Sequence, residues 1–173
     1  MPTTNGFGQN CSVNFRDKIV SWEALASWRK LVRANGKKLV VTNGVFDVLH
    51  VGHVTYLEKA RNLGDSLLVG ITCDKCVEAL KGEGRPINTE DERAMVLAAL
   101  SSVDGVCVFQ ETTAVQFLKV SEPDIYAKGG DYTIETINQE ERQLMEKGGT
   151  PIVIIPGVPG KSTTGILGKC SRR

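Results

Sequence analysis

Short apolar runs alternate with helix-like stretches along the chain, and this alternation limits the possible fold more than any other feature. Leu39-Val40-Val41, Leu67-Leu68-Val69-Gly70-Ile71 and Ile152-Val153-Ile154-Ile155 have strand length and are bounded by polar or turn residues. Residues 21–34 instead place Trp22, Leu25, Trp28, Leu31 and Val32 at helical spacing, with Asn35-Gly36 as a stop. The same reasoning predicts strands at 38–42, 66–72, 103–109, 124–127 and 152–155. It predicts helices at 52–63 (ended by Gly64), 74–80, 89–100, 112–120, 136–147 and from Ser162 onward. Thr89 with Glu92, and Thr136 with Gln139, have capping-box spacing. Strand–helix alternation implies right-handed β-α-β units. The expected fold class is therefore α/β: a Rossmann-like three-layer sandwich around a five-stranded parallel sheet. A fully apolar strand such as 152–155 fits a sheet covered on both faces, and ligands in such folds bind beyond the carboxyl ends of the strands.

The 173 residues fit one domain, expected at 18–173 behind a loose polar leader at 1–17. A net charge of +1 is not that of a polybasic nucleic-acid binder. No apolar run approaches the roughly 20 residues that span a bilayer, and residues 1–17 lack a signal-peptide core. The expected compartment is the cytoplasm, with neither nucleic acid nor membrane as a partner. Five cysteines, an odd number without a secretion signal, argue for reduced thiols. Cys73-Asp74-Lys75-Cys76 is formally a C-x-x-C. A redox role requires those thiols at a strand-to-helix turn, and a zinc role requires four ligands, with no second C-x-x-C present. The spacing is read as incidental.

The chemistry concentrates in Thr42-Asn43-Gly44-Val45-Phe46-Asp47-Val48-Leu49-His50-Val51-Gly52-His53, which contains both histidines of the chain. If a helix begins near Gly52, its free N–H groups and dipole favour an anion there. Gly52 removes a side chain where a phosphate oxygen would approach. Two imidazoles three apart share one side of a turn and can donate to charge developing on phosphorus. There is no G-x-x-x-x-G-K-[ST], and no G-x-G-x-x-G after the first strand, which disfavours a P-loop kinase or a dinucleotide oxidoreductase. Lys81, in a glycine-rich stretch, is equally a solvated lysine or a cation closing over phosphates. Arg93 sits one turn into a helix, where a cation opposes the dipole. Either a bound anion or Glu90, Asp91 and Glu92 would offset it. Lys128-Gly129-Gly130-Asp131 follows a strand, and Lys161-Ser162-Thr163-Thr164 opens a helix. Each is either ordinary turn and cap chemistry or a phosphate cradle.

Gly44-Val45-Phe46-Asp47 followed by His50-Val51-Gly52-His53 resembles the signature of the cytidylyltransferase-like nucleotidyltransferases. Arg85-Pro86-Ile87-Asn88, Lys128-Gly129-Gly130-Asp131-Tyr132 and Lys161-Ser162-Thr163-Thr164 extend the resemblance to the heptose 1-phosphate adenylyltransferases, over about residues 20–169. The resemblance implies that ATP and a sugar 1-phosphate react directly, releasing pyrophosphate, with magnesium held through the phosphates and assisted at most by Asp47 or Asp131. It assigns catalysis to His50, His53, Lys81 and Arg93. It assigns nucleotide contacts to Asn43, Gly44, Val45, Phe46, Gly52, His53, Lys128, Gly130, Asp131, Lys161, Ser162, Thr163 and Thr164, and acceptor contacts to Asp47, Lys81 and Arg85. It implies no protein metal site. A homo-oligomer is expected, with Trp22 and Trp28 as a candidate contact. Members of this group often carry a sugar-kinase domain in front. About 40 residues precede the signature strand here, so the expectation is a stand-alone transferase. The alternative is a CTP-dependent relative acting on glycerol 3-phosphate or another alcohol phosphate. A non-catalytic nucleotide-binding module and a truncated aminoacyl-tRNA synthetase-like domain are weaker alternatives.

Overall fold

The computed structural model describes residues 14–130, 132–161 and 163–170. Twelve elements follow a 3₁₀ turn at Phe15–Lys18: α1 (Trp22–Ala34), β1 (Leu39–Gly44), α2 (Val51–Arg61), β2 (Ser66–Thr72), α3 (Asp74–Lys81), α4 (Glu90–Ala98), β3 (Gly105–Phe109), α5 (Val115–Ser121), β4 (Ile125–Gly130), α6 (Gln139–Lys147), β5 (Ile152–Pro156) and α7 (Thr163–Cys170). The five strands form one sheet in the order β3-β2-β1-β4-β5, and every pairing is parallel. The expected α/β class and strand count hold. The chain winds outward from β1 to β2 and β3, then returns to place β4 on the other side of β1. The β1–β4 boundary is therefore the topological switch point, where such sheets open a crevice.

Strand alternation sorts side chains onto two cores. Val40, Leu67, Val69, Ile71, Val106 and Ala127 pack under Leu57 and Ala60 of α2 and Ala94, Leu97 and Ala98 of α4. Leu39, Val41, Leu68, Cys107, Phe109 and Tyr126 meet Leu25 and Val32 of α1, Phe117 and Leu118 of α5 and Met145 of α6. A fully buried leucine such as Leu57 contributes about 1.5–3 kcal/mol relative to exposure. No helix among the described residues is long and apolar enough to cross a membrane.

Several local expectations are revised. The leader falls mostly outside the described residues, but Phe15 packs against the first core and Lys18 Nζ donates to Leu100 O at 3.0 Å. Val20 N then donates to Val106 O at 2.8 Å, extending the β3 edge. α2 ends at Arg61 with Asn62 as its C-cap, not at Leu63 with Gly64 as its stop. Gly64 is required for a different reason: a Cβ there would lie 2.8 Å from Lys38 O. α6 is capped by Asn138, whose Oδ1 accepts from Glu140 N and Glu141 N, while Thr136 bonds back to Thr133. β5 is an edge strand, and Ile152, Val153 and Ile154 are only half-buried. Trp22 and Trp28 are half-buried against the chain's own core.

Candidate active site

The crevice is built at the tip of β1. After Gly44 the chain passes through Phe46, a non-glycine residue at φ 50°, and enters α2 at Val51. Such a backbone costs about 1–3 kcal/mol and persists only where its surroundings enforce it. Here the Phe46 ring is buried, lies where a Gly44 Cβ would be (2.9 Å), and meets His53 edge-on at 5.3 Å between centroids. His50 occupies the N-cap position of α2 but makes no side-chain cap. Its ring stacks on His53 at 3.9 Å and 22°, and a Cβ on Gly52 would strike it at 2.9 Å. Both Nδ1 atoms are buried with no hydrogen-bond partner among the described residues. Burial, then His50 and Lys81, push His53 down to about 4. Burial, then Lys161, lower His50 as well. Near neutral pH the pair is therefore uncharged, and each ring has one N–H to donate.

Two cavities open from this pair. One, of about 480 Å³, runs along β1 and β4 past Asn43, Phe46, Thr72, Thr112, Lys128 and Glu141. The other, of about 570 Å³, lies between the starts of α2 and α7, with His50, Gly52, Gly130, Gly157, Lys161 and Thr163 on its walls. His53, Tyr56, Lys81, Gly129, Tyr132 and Thr163 line both. Glycine is needed where they join. A Gly129 Cβ would overlap the Tyr56 ring, and Gly130 has φ 89°. Lys81 is the last residue of α3, not a loop residue, and is exposed at the junction. Thr163 Oγ1 donates to Val48 O at 3.3 Å and ties α7 to the α2 approach. Two helix N-termini with Lys161 between them make the second cavity suited to an anion.

The first cavity carries a buried polar network that the sequence reading missed. Lys128 Nζ donates to Asn43 Oδ1 at 2.9 Å and lies 3.6 Å from Glu141 Oε2. The Tyr126 hydroxyl is 2.6 Å from Glu141 Oε2 and 2.7 Å from Asn43 Oδ1, and its single proton serves one of them at a time. Ala114 N donates to Glu141 Oε1 at 2.9 Å. With its oxygen thus occupied, Asn43 presents its NH2 group as the free donor. Burial lowers the Lys128 pKa, although Glu141 opposes that shift. One signal was available in the sequence: Tyr126 and Lys128, two apart on an interior strand, necessarily share a face. Glu141 had none, because its partners lie on β4 and before α5.

Three predicted site residues are placed differently. Arg93 lines neither cavity. Its side chain has no exposure, and it donates to Asn88 O (3.1 Å), Val45 O (2.7 Å), Thr72 O (2.9 Å) and Asp74 Oδ1 (2.7 Å). It braces three chain segments, so the anion that offsets it is Asp74. Asp47 borders the first cavity, but both carboxylate oxygens are used. Oδ2 accepts from Arg85 Nη1 (2.5 Å), and Oδ1 accepts from Ile87 N (2.7 Å) and Asn88 N (3.0 Å). Burial alone would raise its pKa, but those N–H groups and Arg85 hold it below the usual carboxylate range. Arg85 is thereby committed to Asp47 and lines neither cavity. Of the nucleotide set, Asn43, Gly44, Val45, Phe46 and Lys128 face the first cavity, whereas Gly52, Gly130 and Lys161 face the second. Asp131, Ser162 and the side chain of Thr164 lie outside the described residues.

Residues 41–164, which span β1 to the start of α7, match the family model described as cytidylyltransferase-like. The chain belongs to the cytidylyltransferase-like family. It is 46% identical over 156 residues to the bifunctional protein HldE of Syntrophotalea carbinolica, covering 90% of this chain and 31% of that protein. It is 47% identical over 152 residues to the HldE of Geotalea uraniireducens, covering 88% and 31%. The chain thus spans about a third of the length of these relatives. A lipopolysaccharide core biosynthesis protein of Thermoplasma volcanium GSS1 has a similar structure, with TM-score 0.58 and 29% identity over 71% of this chain and 98% of that one.

Proposed function

We propose that this chain is a nucleotidyltransferase that joins a sugar 1-phosphate, a heptose 1-phosphate by its resemblance, to AMP from ATP and releases pyrophosphate. The observation that carries this reading is the shared wall: His53 and Lys81 border both cavities. A triphosphate in the second cavity would put its α-phosphorus at that wall. An acceptor phosphate in the first would face it, held by Lys128 and by the Asn43 amide, whose oxygen is already engaged. The acceptor arrives ionised, so no general base is required. The side chains act by positioning and by donating to charge as it develops. His50 and His53 do so as neutral imidazoles.

Magnesium fits as an ion held by the nucleotide's own phosphates, where it would neutralise charge. Asp47 is not available to assist, since Arg85, Ile87 and Asn88 occupy its oxygens. Association into a dimer or larger assembly belongs to the same proposal and is read by sedimentation. The deciding experiment is pyrophosphate release with ATP and CTP, each against a panel of sugar 1-phosphates and glycerol 3-phosphate. Turnover with ATP and a heptose 1-phosphate is expected. Turnover confined to CTP and glycerol 3-phosphate would replace this reading with its alternative.

A further inference from the structure

The C-x-x-C set aside as incidental spacing occupies the place a redox role requires. Cys73 follows β2 and is the N-cap of α3, and Cys76 lies in the first turn of that helix. The two sulfurs are 2.9 Å apart, and Cys76 N donates to Cys73 Sγ at 3.4 Å. A disulfide bond is about 2.05 Å long, so closure moves the sulfurs together by roughly 0.9 Å within a single helical turn. The Cys76 thiol also donates across to Gln110 O at 3.1 Å. That carbonyl begins the segment between β3 and α5 that carries Thr112, part of the first cavity's wall. Both cysteines are buried but not sealed, at 3% and 9% exposure, whereas Cys107 is at 0% in the second core.

We propose that Cys73 and Cys76 are a reversible dithiol–disulfide couple, closed by a low-molecular-weight disulfide such as oxidised glutathione, and that closure frees the Gln110 carbonyl and loosens the cavity wall behind Thr112. One thiolate attacks the small disulfide and displaces one glutathione. The second thiolate attacks that mixed disulfide and displaces the other. Two S–H bonds are lost, one S–S bond forms in the protein, and both electrons and both protons end on two molecules of reduced glutathione. Once oxidised, Cys76 has no S–H to donate, and Gln110 O loses that partner. Burial, with Cys73 beside it, pushes the Cys76 thiol up to about 11. Exchange should therefore accelerate as pH rises and more thiolate forms.

The couple does not depend on the adenylyl-transfer reading, and its test measures thiols and not turnover. The reduced full chain is incubated with oxidised glutathione, quenched in acid, denatured, alkylated and digested with trypsin. Cleavage after Lys75 separates the two cysteines, so closure appears as peptide 62–75 joined to peptide 76–81, two hydrogens lighter than their sum. The joined species should appear with oxidant and disappear with dithiothreitol, with Cys107 alkylated in both samples. Hydrogen exchange across 110–114 should be several-fold faster in the oxidised sample. In Cys76→Ser the hydroxyl still donates to Gln110 O, so neither readout should respond to oxidant. Recovery of Cys73 and Cys76 as free thiols, or as separate glutathione adducts, overturns the proposal. An oxidant response at 110–114 that persists in Cys76→Ser overturns the link to the cavity wall.

Discussion

Two clusters of polar side chains flank the tip of β1, and they differ in what they leave unspent. In the knot of Asp47, Arg85, Asn88 and Arg93, the donors and acceptors meet one another or the neighbouring Val45 O and Asp74 carboxylate. Around His50 and His53, buried nitrogens have no partner among the described residues, and Lys81 and Lys161 stand exposed nearby. Burying a polar group without a hydrogen bond costs about 1–3 kcal/mol, so the unpartnered Nδ1 atoms are a cost to folding that the closed cluster does not carry. Charge density alone does not mark a site: Arg93 carries as much charge as Lys81, yet its bonds are all internal. The first cluster is a brace that shapes the crevice, and the second is the surface we propose to meet ligand.

The sharpest way to break this comparison is to remove a donor from the open cluster. His53→Ala should lower kcat about 10²–10³-fold, or roughly 2.7–4 kcal/mol, as for loss of one donor to a developing oxyanion. The melting temperature should fall only by the lost ring contacts with Phe46 and His50, because the His53 side chain has no hydrogen bond among the described residues. A large drop in melting temperature with kcat intact would make His53 a core residue. The same change in the closed cluster should do the opposite. Arg93→Leu strips hydrogen bonds from Val45 O, Thr72 O and Asn88 O. A stability loss of about 1–3 kcal/mol per group left bare is the expected scale, measured by urea unfolding. Its activity should fall only as far as the crevice distorts, and a specific loss of kcat in a fully folded variant would return Arg93 to the catalytic set. A smaller effect tests the support beneath Arg93. Thr89 and Glu92 form a reciprocal capping box that starts α4. Thr89→Ala should cost about 1 kcal/mol while leaving KM and kcat near their original values.

Where a feature depends on near neighbours, the sequence carried it. The Thr89–Glu92 box and the span of β2 were both predicted, because each is decided within a few residues. The histidine pair was legible for the same reason, as it spans a single turn. What was not legible is long-range. Nothing near Arg93 announces that Val45 O and Thr72 O will be bare at the ends of β1 and β2 and need a donor. Glu141 carries no local signal of its partners, and only the fold sets it against Tyr126 and Lys128. Gly64 was read as a helix stop, but its lack of a side chain serves a close approach to Lys38 O. The C-x-x-C could be placed at a strand-to-helix turn, but the 2.9 Å between its sulfurs and the bond to Gln110 O required coordinates.

The smallest effect concerns protons and tests whether the open cluster is built for an anion. His53 sits below its ordinary value of 6.5, at about 4, chiefly through burial and then through His50 and Lys81. The unfolded chain therefore takes up a proton near pH 6.5 that the folded chain refuses until about pH 4. Stability attributable to this ring should be complete above 6.5 and decline as pH falls toward 4. His50, lowered in the same direction, adds to that trend. Proton NMR of the two ring C2–H signals reads the titration directly. In the free protein the His53 midpoint should lie well below 6.5. Saturating it with a non-hydrolysable ATP analogue should raise that midpoint, because a phosphate beside the ring favours the imidazolium and opposes the burial penalty. A His53 midpoint at or above 6.5 without ligand would mean that an internal acceptor already holds the ring, and the distinction between the closed and open clusters would fail at its central residue.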